Sequence, residues 1–283
     1  MRAIHLPFSA VLLVCTAGAV RAAPTATRQM VVANEVLAAG GKHLDGNFDA
    51  FLRRIEQVAG WAAGSLRGKA FARPREAVEH LRKTKPAFAI LPVHQFLELR
   101  KELKLEVIGR AFGLEGTQIA YWGVTAVGQK IGGRIEETPG LRLAVTEAYD
   151  NQWLRVLMDG NVKDPSTHFK LVEVPSQQEA LAAVLAKRAD VALLYELEFQ
   201  PLKPRIEAGN DYAWVYTSGP LPPPAIVATK FASRTDRKRL TDALSKLCKT
   251  DGADACGRMG ILYVQSGKPE LYQMVITKYD NWR

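Results

Sequence analysis

Short apolar runs alternate with segments of helical periodicity along almost the whole chain. Ala87–Leu91 is a continuous apolar run of the kind that is buried on both faces of a parallel sheet. Pro74 opens a segment with Ala77, Val78 and Leu81 on one helical face. This alternation predicts βαβ units and an α/β fold with mostly parallel sheets flanked by helices. The predicted strands are 30–36, 63–71, 87–91, 105–111, 118–127, 141–145, 169–174, 190–194, 212–217 and 225–228.

The alternation falls into two blocks, which predicts two lobes. The chain is expected to cross between them near 121–125 and again near 218–225, so that two crossover strands form a hinge. The tract Pro222–Pro224 suits such a hinge, because proline is disfavoured in a central strand. We therefore expect a discontinuous first lobe of residues 28–121 plus 225–283 and a second lobe of residues 122–224.

Residues 1–22 have the layout of a secretory signal peptide. Arg2 gives the positive start, 4–20 contain no Lys, Arg, Asp or Glu, and Ala22 is a small residue at the exit. We expect cleavage near Ala22 and a periplasmic mature protein. An uncleaved membrane anchor and lipidation at Cys15 remain as alternatives.

The cysteine pattern agrees with export. Once Cys15 leaves with the signal peptide, Cys248 and Cys256 remain, eight positions apart. In an oxidising compartment such a pair is expected to form a disulfide, with two buried free thiols as the alternative. A metal site is not expected, because no His lies near the pair.

The formal net charge of +9 falls to +7 without Arg2 and Arg21. The basic residues are scattered and show no aromatic-interleaved stripe, so a nucleic-acid partner is not expected. The sequence also lacks a Gly-x-Ser-x-Gly elbow, a phosphate-cradling loop and a His-Glu-x-x-His helix. We therefore expect a protein that binds a small solute without catalysis, and that needs no cofactor.

Four stretches in this order resemble one family. Ala87–Val93 is similar to a strand with its ligand-facing turn, and Gly140–Val145 to the entry of the second lobe. Ser176–Ala192 is similar to a helix–strand segment, and Pro224–Ala228 to the return crossing. Together they resemble the type II solute-binding proteins of ABC importers, nearest to the phosphate/phosphite/phosphonate branch.

The resemblance implies a two-lobed periplasmic monomer that holds a small, oxyanionic solute in its cleft and presents it to an inner-membrane ABC permease. A sensor or adaptor on the same fold, or an enzyme on it, are the alternatives. One departure leaves the charge of the ligand open. Glu147 and Asp150 stand in a turn that is rich in Ser and Thr in the family's phosphonate binders.

Ligands of open parallel sheets bind beyond the carboxyl ends of the strands. Four loops are expected to converge there, at 37–43, 92–95, 146–152 and 195–199. Asp150 and Asn151 have helix capping as an alternative role. Arg110 and Lys42 are candidates to balance an anion. The candidate ligand-binding residues are Tyr149, Asp150, Asn151, His94, Tyr195, Glu196, Gln118 and Tyr121.

Overall fold

The computed structural model describes residues 27–33, 44–113, 119–146 and 150–281. The predicted signal peptide and the candidate residues Lys42, Gln118 and Tyr149 lie outside these residues. The described chain forms two mixed β-sheets flanked by helices. We call each sheet with its helices a lobe. The predicted two-lobed α/β fold is confirmed.

Six strands build the first sheet: β1 (Arg28–Ala33), β2 (Leu66–Phe71), β3 (Phe88–Leu91), β4 (Glu106–Phe112), β10 (Ala225–Ala228) and β11 (Tyr263–Ser266). Their spatial order is β11-β4-β10-β3-β1-β2. β1 is parallel to β2 and β3, whereas β10 runs antiparallel between β3 and β4. The returning chain therefore enters the middle of the first sheet, which makes that sheet mixed.

Five strands build the second sheet: β5 (Tyr121–Ala126), β6 (Arg142–Thr146), β7 (Lys170–Val174), β8 (Val191–Tyr195) and β9 (Tyr212–Thr217). Their spatial order is β7-β6-β8-β5-β9. β6 is parallel to β7 and β8, and β5 is antiparallel to β8 and β9. The first strand after the crossover thus opposes its neighbours, as β10 does in the first sheet.

Helices cover both sheets. Ser176 begins α6 as predicted, since its side chain accepts a hydrogen bond from the backbone N–H of Glu179 at 3.2 Å. Within the described ranges, none of the helices combines the length and the apolar content needed to cross a membrane. The helices are α1 (Leu44–Ala59), α2 (Pro74–Thr84), α3 (Val93–Leu99), α4 (Asn151–Leu157), α5 (Pro165–His168), α6 (Gln177–Leu185), α7 (Glu196–Phe199), α8 (Lys203–Glu207), α9 (Arg234–Leu247), α10 (Ala253–Gly257) and α11 (Gln273–Asn281).

The core follows the two-residue period of the strands. In β1, Met30 and Val32 belong to an apolar cluster with Phe51 of α1. Val31 and Ala33, which alternate with them, belong to a second cluster with residues of α2 and α3. Both faces of the strand are buried, which explains why its sequence is a continuous apolar run.

The two crossover segments pair with each other between the lobes. Ile119 and Leu221 form an antiparallel bridge, with N–H to carbonyl distances of 3.2 and 2.8 Å. Tyr121, placed at the end of the first lobe by the sequence, already pairs with Tyr195 in the second sheet. The remaining boundaries of the lobes stay a prediction.

β11 and α11 are among the C-terminal elements that were not predicted. β11 is short, and α11 carries few buried residues, so neither has a strong apolar period. α11 contacts both lobes. Asp280 pairs with Arg100 and with Lys101 next to α3, and the Tyr279 hydroxyl donates to Asp150 at the start of α4. The last helix therefore ties the first lobe to the second.

The predicted disulfide between Cys248 and Cys256 is present, with a Cα–Cα distance of 5.6 Å. It joins the C-terminal end of α9 to α10. Both cysteines lie beside the apolar cluster on the α1 and α9 side of the first sheet.

Candidate functional site

A small cavity lies where the two lobes and the two crossovers meet, and we call it the cleft cavity. Its volume is about 20 Å³, which is roughly the space of one water molecule. A larger solute can enter only if the lobes separate or the side chains move. The cleft cavity is lined by Pro92 and Val93 from the first lobe, Tyr121, Trp153 and Tyr195 from the second, and Ile119, Leu221 and Pro224 from the crossovers.

Three aromatic rings form the wall contributed by the second lobe. Tyr121 meets Trp153 edge-to-face, with ring centroids 5.8 Å apart and planes at 78°. Tyr195 lies opposite Tyr121 in the sheet, and their centroids are 5.5 Å apart. These separations are typical of favourable aromatic pairs. The wall is therefore a packed aromatic surface.

Two buried donors at this edge of the second sheet have no hydrogen-bond partner within the described part of the chain. Trp153 is 1% exposed and its indole Nε1 is unpartnered. Thr146, the last residue of β6, is 3% exposed, and its Oγ1 is also unpartnered. Buried polar groups are normally satisfied, and an orphan donor costs free energy. An acceptor atom on a bound solute would satisfy the Trp153 donor.

His94 lies behind the cavity on α3 and contacts Trp153 across the lobes, with ring centroids 5.9 Å apart. The imidazole is fully buried, and this burial lowers the pKa of His94 to about 3. The ring is therefore neutral at physiological pH, so it does not supply the positive charge that an anion would need.

Asp150 and Asn151 are both occupied by structural contacts. The Asp150 carboxylate accepts from the Trp153 backbone N–H at 2.5 Å and caps α4. The Asn151 amide donates to Asp164 at 2.9 Å and accepts from the backbone N–H of Ser166. The capping alternative thus describes Asp150, whereas Asn151 is the first residue of α4 and bonds to residues at the start of α5.

Tyr195 and Glu196 follow β8 as expected, but they differ in role. The Tyr195 ring lines the cleft cavity, and its backbone N–H donates to the Gln177 side chain at 2.5 Å. The Glu196 carboxylate accepts from Trp122 Nε1 at 2.6 Å and from the Gln200 amide. Glu196 therefore fixes a neighbouring aromatic side chain and does not line the cavity.

Of the eight candidate residues, Tyr121 and Tyr195 come together in the cleft cavity, and His94 supports its wall. Tyr149 and Gln118 lie outside the described residues, so their roles stay predictions. Arg110 lines a separate pocket that has no residue in common with the cleft cavity.

Trp153 is the main cavity residue that is absent from the candidates drawn from the sequence. Its position could have indicated a role in the site, because Trp153 lies three residues after the cap Asp150, beyond the carboxyl end of β6. Ile119, Leu221 and Pro224 came together only through the pairing of the two crossovers. In the described part of the chain, no group of three or more His, Cys, Asp or Glu side chains is placed to hold a metal ion.

Solved structures with this fold are numerous, although their sequences are distant. XAC2383 from Xanthomonas citri, solved with chloride and with ATP, has a TM-score of 0.71 in both forms and 12% and 13% identity. In both comparisons the match covers 91% of this chain and 98% of that chain. At such identities the similarity establishes the fold alone.

Two phosphonate-related structures are similar as well. A binding-protein component of an ABC phosphonate transporter from Pseudomonas aeruginosa has a TM-score of 0.66 and 15% identity, over 90% of this chain and 85% of that chain. PhnD1 from Prochlorococcus marinus, in complex with methylphosphonate, has a TM-score of 0.65 and 12% identity, over 91% and 99%. No curated protein sequence matched this chain.

The sequence itself carries the family assignment. Residues 44–277 match the family model described as the periplasmic substrate-binding protein of the phosphonate ABC transporter. This match extends over most of both lobes and agrees with the resemblance drawn from the four sequence stretches. The chain belongs to the family of periplasmic substrate-binding proteins of phosphonate ABC transporters, the components that bind solute for an importer.

Proposed function

We propose that this chain binds a small organic solute with an apolar part and an acceptor oxygen in the cleft cavity, and delivers it to an inner-membrane ABC permease. The observation that carries the proposal is the aromatic wall of Tyr121, Trp153 and Tyr195, which faces Pro92 and Val93 of the other lobe. Membership of the phosphonate-binding family supports the proposal that the solute also has an oxygen-rich part.

The wall favours the apolar part of the solute. No Lys, Arg, Asp or Glu is among the described residues that line the cleft cavity. A compact inorganic anion would lose its hydration against this apolar wall without a paired charge, which is costly. An alkyl or aryl substituent would gain from the same contact at about 25 cal/mol per Å² buried. Organic phosphonates and sulfonates are charged as well, but burial of their substituent offsets part of this cost.

The orphan Trp153 Nε1–H supports the polar part. This donor is buried, unpartnered and carried by the ring that also lines the cavity. An oxygen acceptor on the solute would satisfy it at the moment the lobes close. Since closure and this hydrogen bond occur together, the solute would favour the closed form by its differential affinity, with the paired crossovers as the hinge.

We further propose that cleavage near Ala22 releases the mature protein into the periplasm, where it acts as a monomer without catalytic turnover. The family is a transport family, and the apolar run before Ala22 supports export. Intact mass of the protein purified from periplasmic extract would test the cleavage site. A mass that retains residues 1–22 would contradict it.

A thermal-shift screen tests the solute class. Methyl-, ethyl-, butyl- and phenylphosphonate, the corresponding sulfonates and inorganic phosphate are compared at equal ionic strength. We expect stabilisation that increases with the apolar substituent, reaching about 2.7 kcal/mol at a hundredfold excess over the dissociation constant. Equal stabilisation by inorganic phosphate and by every substituted compound would contradict the apolar wall as a determinant.

Trp153→Phe tests the donor. We expect the best compound to bind on the order of tenfold more weakly, because a buried acceptor loses its partner. Trp61→Phe is the matched control, since Trp61 is also buried with an unpartnered Nε1 but lies in the first lobe, stacked on Phe88. Unchanged affinity in Trp153→Phe, measured by calorimetric titration, would refute the assignment.

A further inference from the structure

A second pocket lies at the edge of the first sheet, and its lining is cationic. We call it the cationic pocket. Its volume is about 420 Å³, which is within the range of small-molecule sites. It shares no lining residue with the cleft cavity. The lining residues are Arg110, Ser245, Cys248, Lys249, Tyr263, Val264, Gln265, Ser266 and Lys268.

Arg110 is a buried cation that pairs with no carboxylate among the described residues. It is 7% exposed, and its Nη2 donates to the Gln265 side chain directly across the β4–β11 ladder. Its Nε is buried and has no hydrogen-bond partner. The guanidinium also lies over the Phe112 ring, 5.2 Å from its centroid. A buried charge is normally paired with a counter-charge, so this guanidinium has unused capacity for one.

Lys249 and Lys268 add two further cations at the mouth of the pocket. Both are exposed, and no Asp or Glu is among the described residues that line the pocket. The hydroxyls of Ser245 and Ser266 supply polar groups between them. Three cations with no acid among them generate a locally positive potential that favours an anion.

The loop that carries Lys249 is held in a fixed conformation. Arg54 donates from Nε to the Leu247 carbonyl at 3.2 Å, and the disulfide at Cys248 anchors the adjacent residue. Gly252 packs so tightly that a Cβ there would lie 1.8 Å from the Leu247 carbonyl oxygen. On the other side, Gly267 donates to the Ile108 carbonyl at 2.9 Å and positions Lys268. The backbone that carries both lysines is thus preorganised, which lowers the cost of binding.

We infer that the cationic pocket binds a phosphate-class oxyanion independently of the solute in the cleft cavity. Arg110 would hold the anion in the buried part of the pocket, and Lys249 and Lys268 would close over it from the surface. A free phosphate and the phosphate of an anionic lipid headgroup share this chemistry.

The test compares four forms of the mature protein by calorimetric titration with inorganic phosphate at constant ionic strength. We expect the double variant Lys249→Gln/Lys268→Gln to bind on the order of tenfold more weakly than the wild type. The control Lys246→Gln/Lys170→Gln removes the same charge from exposed residues outside the pocket and should bind as the wild type does. Trp153→Phe should also leave phosphate binding unchanged, which separates this site from the cleft cavity.

A second arm distinguishes the source of the phosphate group. Sedimentation with phosphatidylglycerol vesicles is measured for the wild type and the two double variants. Weaker sedimentation of the pocket variant than of its charge-matched control, without phosphate binding in solution, would identify a lipid headgroup as the ligand. If both double variants behave alike in both arms, or if only Trp153→Phe abolishes phosphate binding, the inference is wrong.

Discussion

The cleft cavity and the cationic pocket are opposite in chemistry. The first lies between the lobes, is lined by aromatic and aliphatic residues, and has a volume of about 20 Å³. The second lies at the edge of one sheet, contains Arg110, Lys249 and Lys268, and has a volume of about 420 Å³. The positive charge of this chain is therefore found at the cationic pocket and not among the described residues of the cleft cavity. Affinity in the cleft must depend on burial of apolar surface and on directed hydrogen bonds, whereas affinity at the sheet edge must depend on charge.

Folding stability should fall most for substitutions in the tightly packed backbone beside the cationic pocket. We expect Gly252→Ala to destabilise the fold by about 3 kcal/mol, because overpacking against a fixed backbone is costly. The added Cβ would lie 1.8 Å from the Leu247 carbonyl oxygen and 2.7 Å from Arg54 Nε. Denaturant unfolding measures this loss.

Gly257→Ala is the matched control for that change. Gly257 ends α10, and a Cβ there would meet no atom within 4 Å. We expect its stability to stay within about 0.5 kcal/mol of the wild type. If Gly252→Ala were as mild as Gly257→Ala, the loop that carries Lys249 would not be rigid.

Removal of the disulfide should cause the next largest loss of stability. It should change ligand affinity in only one of the two pockets. Cys248→Ser/Cys256→Ser should lower the free energy of unfolding by about 2.5 kcal/mol, the chain-entropy value for so short a loop. Cys248 lines the cationic pocket, whereas the cleft cavity contains no cysteine. Phosphate affinity should therefore weaken in this variant while affinity for the cleft solute is retained. The reverse pattern in calorimetric titrations would contradict the expectation that the disulfide supports only the cationic pocket.

Acid should lower the stability of the fold through His94, which contacts the wall of the cleft cavity. Burial lowers the pKa of His94 to about 3, below the ordinary value of about 6.5 for an unfolded chain. The unfolded state therefore binds a proton that the folded state does not, and stability falls as the pH drops below about 6.5. We expect a loss of about 2 kcal/mol between pH 8 and pH 5.

His94→Gln should remove most of this pH dependence. A smaller part should remain, because burial together with Lys69 and Lys83 also lowers the pKa of His80. Unfolding midpoints measured at pH 8 and pH 5 for both proteins check the prediction. Identical pH slopes in wild type and variant would show that His94 is not the titrating group.

The smallest loss of stability is expected when the contact of α11 with the first lobe is broken. Asp280→Asn removes the pairs with Arg100 and Lys101 and should cost less than about 1 kcal/mol, since the Asp280 side chain is 27% exposed and such pairs are weak in water. Asp242→Asn in α9 breaks the exposed pair with Lys238 and is the control. A loss above about 2 kcal/mol for Asp280→Asn alone would mean that α11 is a structural clamp between the lobes.

Much of the fold could be predicted because its signals are local. Ala87–Leu91 and Val191–Leu194 are apolar on both faces, and Ser176 with Glu179 marks a helix start, so these elements follow from neighbouring residues. β11 and α11 could not be predicted, since they depend on contacts with β4 and with Asp150, which are distant in sequence.

The site was harder to predict for the same reason. Tyr195 was correctly placed at a strand end, whereas Tyr121 was expected inside a strand and instead begins β5. The register of β5 against β8 brings the two residues together. Asp150 and Glu196 looked like ligand carboxylates, but Tyr279 and Trp122, distant in sequence, occupy them. A sequence shows which residue types are near a strand end, whereas tertiary contacts decide which of them remain available.

Hydrogen–deuterium exchange with the best organic phosphonate tests whether the solute binds between the two lobes. We expect slower exchange in β5, at the start of α4 and in the paired crossovers around Ile119 and Leu221, whether or not the cationic pocket at 245–268 is protected as well. Protection confined to 245–268, with unchanged exchange in β5 and α4, would contradict a solute site between the lobes.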